Sequence, residues 1–421
     1  MEAMNAHAAI RSVCLLAPAG VVLGLWMWHR PRGREAAAAI LATLWQVPAL
    51  LLLDLAAREF GCWSYEAEGA LLLGMPADLL FGWALLWGAI PALAFPRLPL
   101  IVVAAVVLSI DAMTMPLLDP VVRLGPFWLA ADVAGILLCL FPAQWLARWT
   151  SNDSHLSRRV ALQVAGFSGI ALVVLPATVA GQLGIAFTKL LQSFWWTDLL
   201  AVPALLGIAA AQEFAERGAG TPVPLDPARR LISSGPYAYV RNPMQLSMTI
   251  VLPVFLIPLG WLPALAAFVI LFAYSEGFAR QDEDTDHRER FSIEWKQYSG
   301  QVRRWWPRWR PMTSAQPARL YVAQSCQSCR PVGEWIMRQR PTALIVTPAE
   351  SHPGRLKRIT YESGDGYSAS GIVALAHSLE HLHLGWAIAA WTVRLPWICN
   401  CLQVLADACG EMDTRLCNSE L

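Results

Sequence analysis

The chain has 421 residues, of which 56% are hydrophobic and only 15% are charged, and its formal net charge is +1. A composition this apolar excludes an ordinary soluble domain, and the balanced charge gives no indication of a nucleic-acid-binding surface. With 20 tryptophans and a mean hydropathy of +0.43, the sequence predicts a membrane protein.

Apolar stretches crowd the first two thirds of the chain. A helix needs about 20 apolar residues to cross the hydrocarbon core of a bilayer. We predict spans near 12–29, 37–55, 70–94, 98–118, 126–147, 160–180, 195–212, and a shorter pair at 244–257 and 260–275. The predicted fold class is therefore an α-helical polytopic membrane protein with about nine spans, followed by a C-terminal thioredoxin-like α/β domain.

Arginines are concentrated in alternate loops, after the first, fifth and seventh predicted spans. They are Arg30, Arg32, Arg34, Arg148, Arg158, Arg159, Arg217, Arg229, Arg230 and Arg241. The positive-inside rule predicts that these loops, and everything after residue 276, are cytoplasmic. Because the first apolar stretch ends in "HRPRGR" without a cleavage site, we expect a retained span. These features predict a multi-pass protein of the inner or plasma membrane with a cytoplasmic C-terminal domain.

Residues 1–155 form an N-terminal multi-span region with carboxylates at Asp54, Asp78, Asp111 and Asp132. An ionisable residue inside a span is a functional candidate. The interpretation we favour places most of these carboxylates at helix ends, within reach of lipid headgroups. The region is then a scaffold or a wall for substrate access.

A polar stretch, "SSGPYAYVRNPMQL" at 233–246, interrupts the apolar pattern. Its two prolines break helices, and irregular backbone at membrane depth is tolerated only where protein covers it or a cavity lies beside it. Arg241 is suited to bind a carboxylate or phosphate in a bidentate manner, through two parallel hydrogen bonds. The chain returns to the same predicted side at Glu283 and Asp284. The alternative is a re-entrant turn in which Arg241 is an interfacial anchor.

At these residues the chain resembles the isoprenylcysteine carboxyl methyltransferases and phospholipid methyltransferases. "GPYAYVRNP" matches their pattern, and "EDTDHRERFSIEWKQY" keeps its phasing, with Glu283 and Asp284 at the acidic pair and Tyr298 at the second tyrosine. The resemblance covers residues from about 160 to 311, within a predicted methyltransferase-like membrane domain at 156–311. The sequence departs from the family pattern at four positions, Asn242 for histidine, Gln245 for tyrosine, Ser292 for glycine and Trp295 for tyrosine.

The resemblance implies an S-adenosylmethionine site. Its cofactor-binding residues would be Gly235, Pro236, Tyr237, Tyr239, Val240, Arg241, Asn242, Pro243, Glu283 and Asp284. Arg241 would clamp the cofactor's carboxylate, Glu283 would accept from its amino group or ribose, and both are expected to be catalytic. A lipophilic acceptor would enter from the bilayer and the cofactor from the cytosol. The closing "RRWWPRWRP" is interpreted as an interfacial anchor, with a cofactor lid as the alternative.

Residues 312–421 have the pattern of a small thioredoxin-like domain. We predict strands at 320–323, 342–347 and 358–362, and helices beginning at Pro331 and spanning 369–380. Cys326 and Cys329 precede the first of these helices, where the helix dipole stabilises a thiolate. Cys326 would be the catalytic nucleophile and Cys329 the resolving thiol. A zinc half-site or inert thiols are the alternatives.

This segment, about 317–415, resembles the DCC family of thiol-disulfide oxidoreductases. Tyr321, Cys326 and Cys329 fit its pattern, while Ala323 stands in place of the signature aspartate. His377 and His381 share a helical face; we interpret them as surface histidines, with a metal site as the alternative.

Three functions remain open from the sequence. The leading hypothesis is S-adenosylmethionine-dependent methyl transfer to a lipophilic acceptor at the cytoplasmic side of the membrane, with an appended thiol-redox module. The second is a membrane-anchored thiol-disulfide oxidoreductase that exchanges electrons between cytosolic thiol reductants and quinone. The third is a non-catalytic, cofactor-binding membrane scaffold.

Overall fold

The computed structural model describes residues 2–187, 189–190, 197–221, 229–313, 316–326, 329–354 and 356–408, without the side chains of 2–6, 197, 278–279 and 281–284. The chain divides into two compact units. The first comprises Met1–Trp195, Gly220–Ala228 and Leu252–Ala266. The second comprises Trp196–Ala219, Arg229–Val251 and Ala267–Leu421, so the predicted boundary at residue 312 falls inside it.

The first unit is a bundle of apolar helices. They are α1 (Glu2–His29), α2 (Arg34–Glu59), α3 (Ala77–Ala84), α4 (Ile90–Ala94), α5 (Leu100–Thr114), α6 (Trp128–Gly135), α7 (Phe141–Ser151), α8 (Leu156–Gly169) and α9 (Leu175–Gln182). Short ladders pair β1 (Trp63–Tyr65) with β4 (Val122–Leu124), and β2 (Leu71–Leu72) with β3 (Met75–Pro76).

Wider, π-helical turns join α3 to α4, α6 to α7 and α8 to α9. These turns are Leu85–Ala89, Ile136–Leu140 and Ile170–Val174. Each is followed within two residues by a proline, at Pro91, Pro142 and Pro176. Proline has no backbone N–H and its ring crowds the preceding turn, so the hydrogen-bond ladder widens there instead of ending. Each pair of helices therefore forms one continuous span.

Seven helical segments among the described residues are long and apolar enough to cross a membrane. They are His7–His29, Arg34–Glu59, Ala77–Ala94, Leu100–Leu118, Trp128–Ser151, Leu156–Gln182 and Asp198–Arg217. These helices correspond to the first seven predicted spans, although the third begins at Ala77 and not at residue 70. The last predicted pair forms shorter apolar helices, Pro243–Leu259 and Trp261–Gly277. Two further helices, Leu384–Val393 and Pro396–Ala408, pass the same test only together and meet at 84°.

The carboxylates of the first unit lie in its interior, so the expectation of headgroup-facing carboxylates is wrong for three of them. Asp54 and Asp111 are 1% exposed and Asp132 is 5% exposed. Asp54 accepts hydrogen bonds from Trp63 and Tyr65, at 2.8 and 2.6 Å. Asp54 and Asp111 turn inward because the bundle offers hydrogen-bond donors that lipid does not. Asp78, nearer a helix start, pairs with Arg11 at 2.6 Å.

The second unit begins with helices, continues with a small sheet and closes with three further helices among the described residues. Its helices and strands are α10 (Thr197–Arg217), α11 (Pro243–Leu256), α12 (Trp261–Tyr274), α13 (Arg280–Gln301), β5 (Ala318–Val322), α14 (Cys329–Arg338), β6 (Leu344–Pro348), β7 (Thr360–Glu362), β8 (Ser368–Ser370), α15 (Ile372–Leu379), α16 (Leu384–Val393) and α17 (Pro396–Ala408). α11 and α12 also contribute residues to the first unit. The strand order is β6-β5-β7-β8, with β5 parallel to β6 and both other pairs antiparallel.

Two predicted helix starts in this region are wrong. The helix expected from Pro331 begins at Cys329, and the helix expected from residue 369 begins at Ile372. Residues 368–370 instead form β8, because their backbone completes the sheet beside β7. Gly371, with φ of +66°, then turns the chain from strand to helix.

Candidate functional site

The predicted cofactor loop is a single 3₁₀ turn, Gly235–Ala238, packed against α10. Gly235 has φ of +55°, and a Cβ there would lie 2.9 Å from the carboxyl carbon of Glu213. The adjacent Ser234 hydroxyl donates to the same carboxylate at 2.5 Å. Glycine is therefore required twice, by the left-handed backbone and by the close approach of a buried acid.

Most of the loop's side chains are used in packing. Gly235, Pro236, Tyr237, Tyr239, Val240 and Pro243 are buried, while Arg241 and Asn242 are partly exposed. The Tyr239 hydroxyl donates to the Glu380 carbonyl at 2.7 Å, and its ring meets the edge of Trp391 with centroids 6.0 Å apart. These contacts fix the loop in place, so Arg241 and Asn242 present the side chains that a ligand could reach.

The two sequence motifs lie together in the fold. The Tyr298 hydroxyl donates to the Tyr237 carbonyl at 3.0 Å, and the Arg241 N–H donates to the Arg303 carbonyl at 2.9 Å. Tyr298 is buried, and burial raises its pKa while the charge of Arg241 opposes that rise. The hydroxyl therefore remains a neutral donor at physiological pH.

α13 carries the second motif but is broken in its middle. Ser292 has non-helical angles, φ of 11° and ψ of −81°. This is the position at which the resembled family has glycine, a residue that tolerates such a break. Glu283 and Asp284 belong to the same helix, but their side chains lie outside the described residues.

Arg241 is the most distinctive charged group of the site. Its guanidinium lies over the Trp295 ring, 5.4 Å from the ring centroid. Its Nε is buried and has no hydrogen-bond partner among the described residues. No carboxylate among the described side chains forms an ion pair with Arg241. A buried donor in this state is uncommon, and an acceptor supplied by a ligand is one explanation for it.

Two of the residues that differ from the resembled family's pattern are hydrogen-bonded to each other. The Asn242 side-chain amide donates to the Gln245 carbonyl oxygen at 2.6 Å, and the Ser275 hydroxyl donates to the same oxygen at 3.1 Å. The two substitutions therefore form one neutral, hydrogen-bonded pair that joins the start of α11 to the end of α12.

Glu276 is part of this region, although the sequence analysis did not single it out. It accepts a hydrogen bond from the Trp305 indole at 2.6 Å and pairs with Arg304 at 3.0 Å. The available signal was a carboxylate at the end of a predicted span. Two residues of the predicted interfacial anchor thus turn toward the protein, whereas Trp306 and Trp309 are 74% and 64% exposed.

A buried ion network lies behind the loop and was also missed. Glu213 is completely buried and pairs with Arg217 at 2.8 Å and with Arg394 at 2.9 Å. Arg394 also bonds Glu380 at 2.9 Å. Burial alone would raise the pKa of Glu380, but Arg394 and His377 lower it to about 2. The network stays charged over the physiological range and joins α10 to the helices after the sheet.

Histidine 377 belongs to this network, so the expectation of a surface position is wrong for it. It is 0% exposed, and its ring nitrogens bond Glu380 at 3.0 Å and the Tyr367 hydroxyl at 3.2 Å. Other residues of the second unit cover the face of α15 that carries His377. The helical spacing alone did not reveal this. Among the described residues, no group of three or more histidine, cysteine, aspartate or glutamate side chains could hold a metal ion.

Cys326 and Cys329 form a disulfide with their Cα atoms 5.3 Å apart. Cys329 is buried as the first residue of α14, whereas Cys326 is partly exposed. Ala323, which replaces the signature aspartate, is fully buried directly after β5. The more accessible sulfur at a helix start therefore belongs to Cys326, the predicted nucleophile.

The arrangement offers two kinds of chemistry. The loop and α13 provide a cation on an aromatic face that could hold an anionic group of a cofactor, and the start of α14 carries a dithiol pair that could be oxidised and reduced. The chain matches no protein-family model, no curated protein and no solved structure.

Proposed function

We propose that this protein transfers a methyl group from S-adenosylmethionine to a lipophilic acceptor at the cytoplasmic side of a membrane. One observation carries the proposal: Arg241 has a buried Nε without a protein partner among the described residues, beside a proline-made break in the helices. The α-carboxylate of the cofactor would supply two acceptors in the plane of the guanidinium.

The neighbouring residues suit the rest of such a cofactor. The Trp295 ring lies against the guanidinium and helps to hold it in place. Glu283 and Asp284 are proposed to accept from the amino group and the ribose. When bound, the cofactor supplies the methyl group. The buried tyrosines of the loop hold Arg241 in position, and the surrounding apolar helices exclude water.

The acceptor is proposed to be lipophilic because of where the site lies along the chain. α11 begins at Pro243, two residues after Arg241, and α12 returns to Glu276. Both helices are strongly apolar, so a substrate that reached the site along them would be dissolved in the bilayer. An isoprenoid or acyl compound with a thiol, carboxylate or hydroxyl terminus fits this description.

The test uses purified full-length protein in liposomes made from a native lipid extract, with methyl-labelled S-adenosylmethionine. We expect label in the lipid fraction, and Arg241→Gln should lower kcat/KM by about 10–100-fold, since it removes a charge-assisted contact. Arg338→Gln, an exposed arginine on α14, is the matched control and should leave the rate unchanged.

Two results would contradict the proposal. One is an absence of label in every lipid and thiol fraction, and the other is an Arg241→Gln variant as active as the wild type. Cofactor binding without any transfer would point to the non-catalytic scaffold instead.

A second function is favoured by the disulfide. A strand, a helix beginning at a CxxC pair, a parallel strand and an antiparallel pair follow each other in the order of a thioredoxin-like domain. In this proposal a reducing dithiol attacks Cys326, and the Cys326–Cys329 pair accepts two electrons and two protons. It then passes both to a quinone, which becomes a quinol. Cys326→Ser should abolish reduction of the quinone, whereas Arg241→Gln should not.

A further inference from the structure

A cavity of about 540 Å³ opens at one end of the helical bundle of the first unit. It lies where α1, α4 and α7 end and where α2 begins. Its polar lining residues include His29, Glu35, Arg97, Gln144, Arg148 and Asn152, and alanine and leucine side chains contribute apolar surface. The cavity is therefore at a bundle end that the arginine-rich loops share, and it is separate in sequence from the site around Arg241.

The charges around this cavity are unbalanced. Arg97 is exposed and has no carboxylate partner among the described residues. Arg148 donates to the Leu98 carbonyl, while its Nε is buried with no hydrogen-bond partner in the described part of the chain. Of the residues that line the cavity, Glu35 is the one carboxylate. The lining thus contains two guanidinium groups, one histidine and one acid.

The rest of the lining includes a glutamine held by hydrogen bonds and several apolar residues. Gln144 is 2% exposed and donates to the carbonyls of Trp87 and Gly88, each at 3.0 Å. Ala38, Leu93 and Ala147 provide apolar surface next to it. Arginines placed only by the positive-inside rule would extend into water or headgroups. That rule does not account for a guanidinium nitrogen buried at the wall of a cavity.

We infer that this cavity binds a phosphate group, carried by the headgroup of an anionic lipid. Guanidinium groups bind phosphate through paired, charge-assisted hydrogen bonds, and the apolar surface suits the first carbons of the attached glycerol and acyl chains. The site does not depend on methyl transfer, because every lining residue belongs to the first unit.

The experiment measures equilibrium binding of labelled dihexanoyl phosphatidate to the full-length protein in a neutral maltoside detergent. Arg97→Gln should raise the dissociation constant about tenfold, because it removes one charge-assisted contact. Arg148→Gln should do the same, and Arg97→Lys should keep most of the affinity. Since Arg97 is exposed and makes no hydrogen bond within the described residues, its variant should remain folded.

Arg123→Gln is the matched control. Arg123 is an exposed arginine of the same unit, paired with Glu66 at 2.7 Å, and it does not line the cavity. Its loss should leave the dissociation constant unchanged, although the net charge falls by the same amount. An equal effect of Arg123→Gln and Arg97→Gln would overturn the inference, because it would show general attraction to a basic surface.

Competitors distinguish the source of the phosphate. Inorganic phosphate that competes as well as the phosphatidate would confirm the anion site and assign it to free phosphate. Competition by phosphatidate alone would assign it to a lipid. Equal binding of dihexanoylglycerol, which has no phosphate, or no binding of the phosphatidate at all, would overturn the inference.

Discussion

Asp111 in the first unit and Glu213 in the second are both buried acids, but their surroundings differ. Asp111 accepts a hydrogen bond from the neutral Trp87 indole at 2.7 Å, and no cationic partner of Asp111 is found among the described residues. Glu213 lies between Arg217 and Arg394 and also accepts from Ser234. One acid is held by a neutral donor and the other by two full charges.

The difference shows two ways in which a protein tolerates a buried acid. In an apolar bundle a carboxyl group can be neutral and satisfied by neutral donors, so removal of its charge costs little. In an ion network every member compensates the desolvation of the others, so loss of one leaves its partners buried and uncompensated. The same acid-to-amide substitution should therefore cost much more at Glu213 than at Asp111.

The largest expected effect is that of Glu213→Gln. The change removes one carboxylate partner from each of the buried Arg217 and Arg394, and we expect a loss of about 3–5 kcal/mol in the free energy of unfolding. Thermal unfolding of the purified protein in detergent measures it, with Glu334→Gln as control because Glu334 is 56% exposed and pairs with Arg330, outside the network. Equal unfolding temperatures for Glu213→Gln and the wild type would show that the network does not stabilise the second unit.

Acid should weaken the same network. The pKa of Glu380 is lowered from 4.5 to about 2 in the folded state, so its contribution is fully present above pH 5 and is lost as the pH falls from about 5 toward 2. The contribution is on the order of 3 kcal/mol at neutral pH. Unfolding temperatures measured across this range should fall for the wild type and change less for Glu380→Gln. Parallel curves for the two proteins would contradict the expectation.

Gly235→Ala should be the next most disruptive change. The left-handed backbone costs alanine about 1–2 kcal/mol, and its methyl group would meet the Glu213 carboxylate at 2.9 Å. Gly300→Ala is the control, since nothing lies within 4 Å of a Cβ at that helical position. The first variant should unfold at a lower temperature and the second at the same or a higher one. The reverse order would show that the close approach of loop and acid is not needed.

Tyr298→Phe should have a smaller effect that separates the site from the network. It removes the hydrogen bond to the Tyr237 carbonyl, at a cost of about 1 kcal/mol. Because this bond joins the loop to α13, methyl transfer should fall. Trp305→Phe, which removes a donor to Glu276, serves as a comparison within the same unit. Unchanged unfolding and unchanged transfer in Tyr298→Phe would separate the two motifs functionally.

Asp111→Asn should have the smallest effect, below about 1 kcal/mol, because the amide oxygen still accepts from Trp87. The same unfolding assay measures it beside Glu213→Gln. A loss in Asp111→Asn as large as that in Glu213→Gln would show that the carboxylate of the first unit is charged and paired, and the comparison between the units would fail.

The sequence predicted much of the architecture and part of the site. The first seven spans were visible because about 20 apolar residues in a row have few other uses in a protein. The contacts of Arg241 with Trp295 and of Tyr298 with Tyr237 join the two motifs on which the resemblance depended. The burial of His377 was not predicted, because spacing on one helix says which residues share a face but not what packs against that face.

Apolar length and the placement of proline and arginine determined the spans and the broken loop before Arg241, since these depend on local backbone chemistry and on transfer from water to lipid. Only the tertiary structure decided that Glu213, Arg394 and Glu380 form one network, and that Asn242 and Gln245 bond each other. Such partners are up to 181 residues apart in the chain, and which of them meet is decided by packing and by the need to compensate each buried charge.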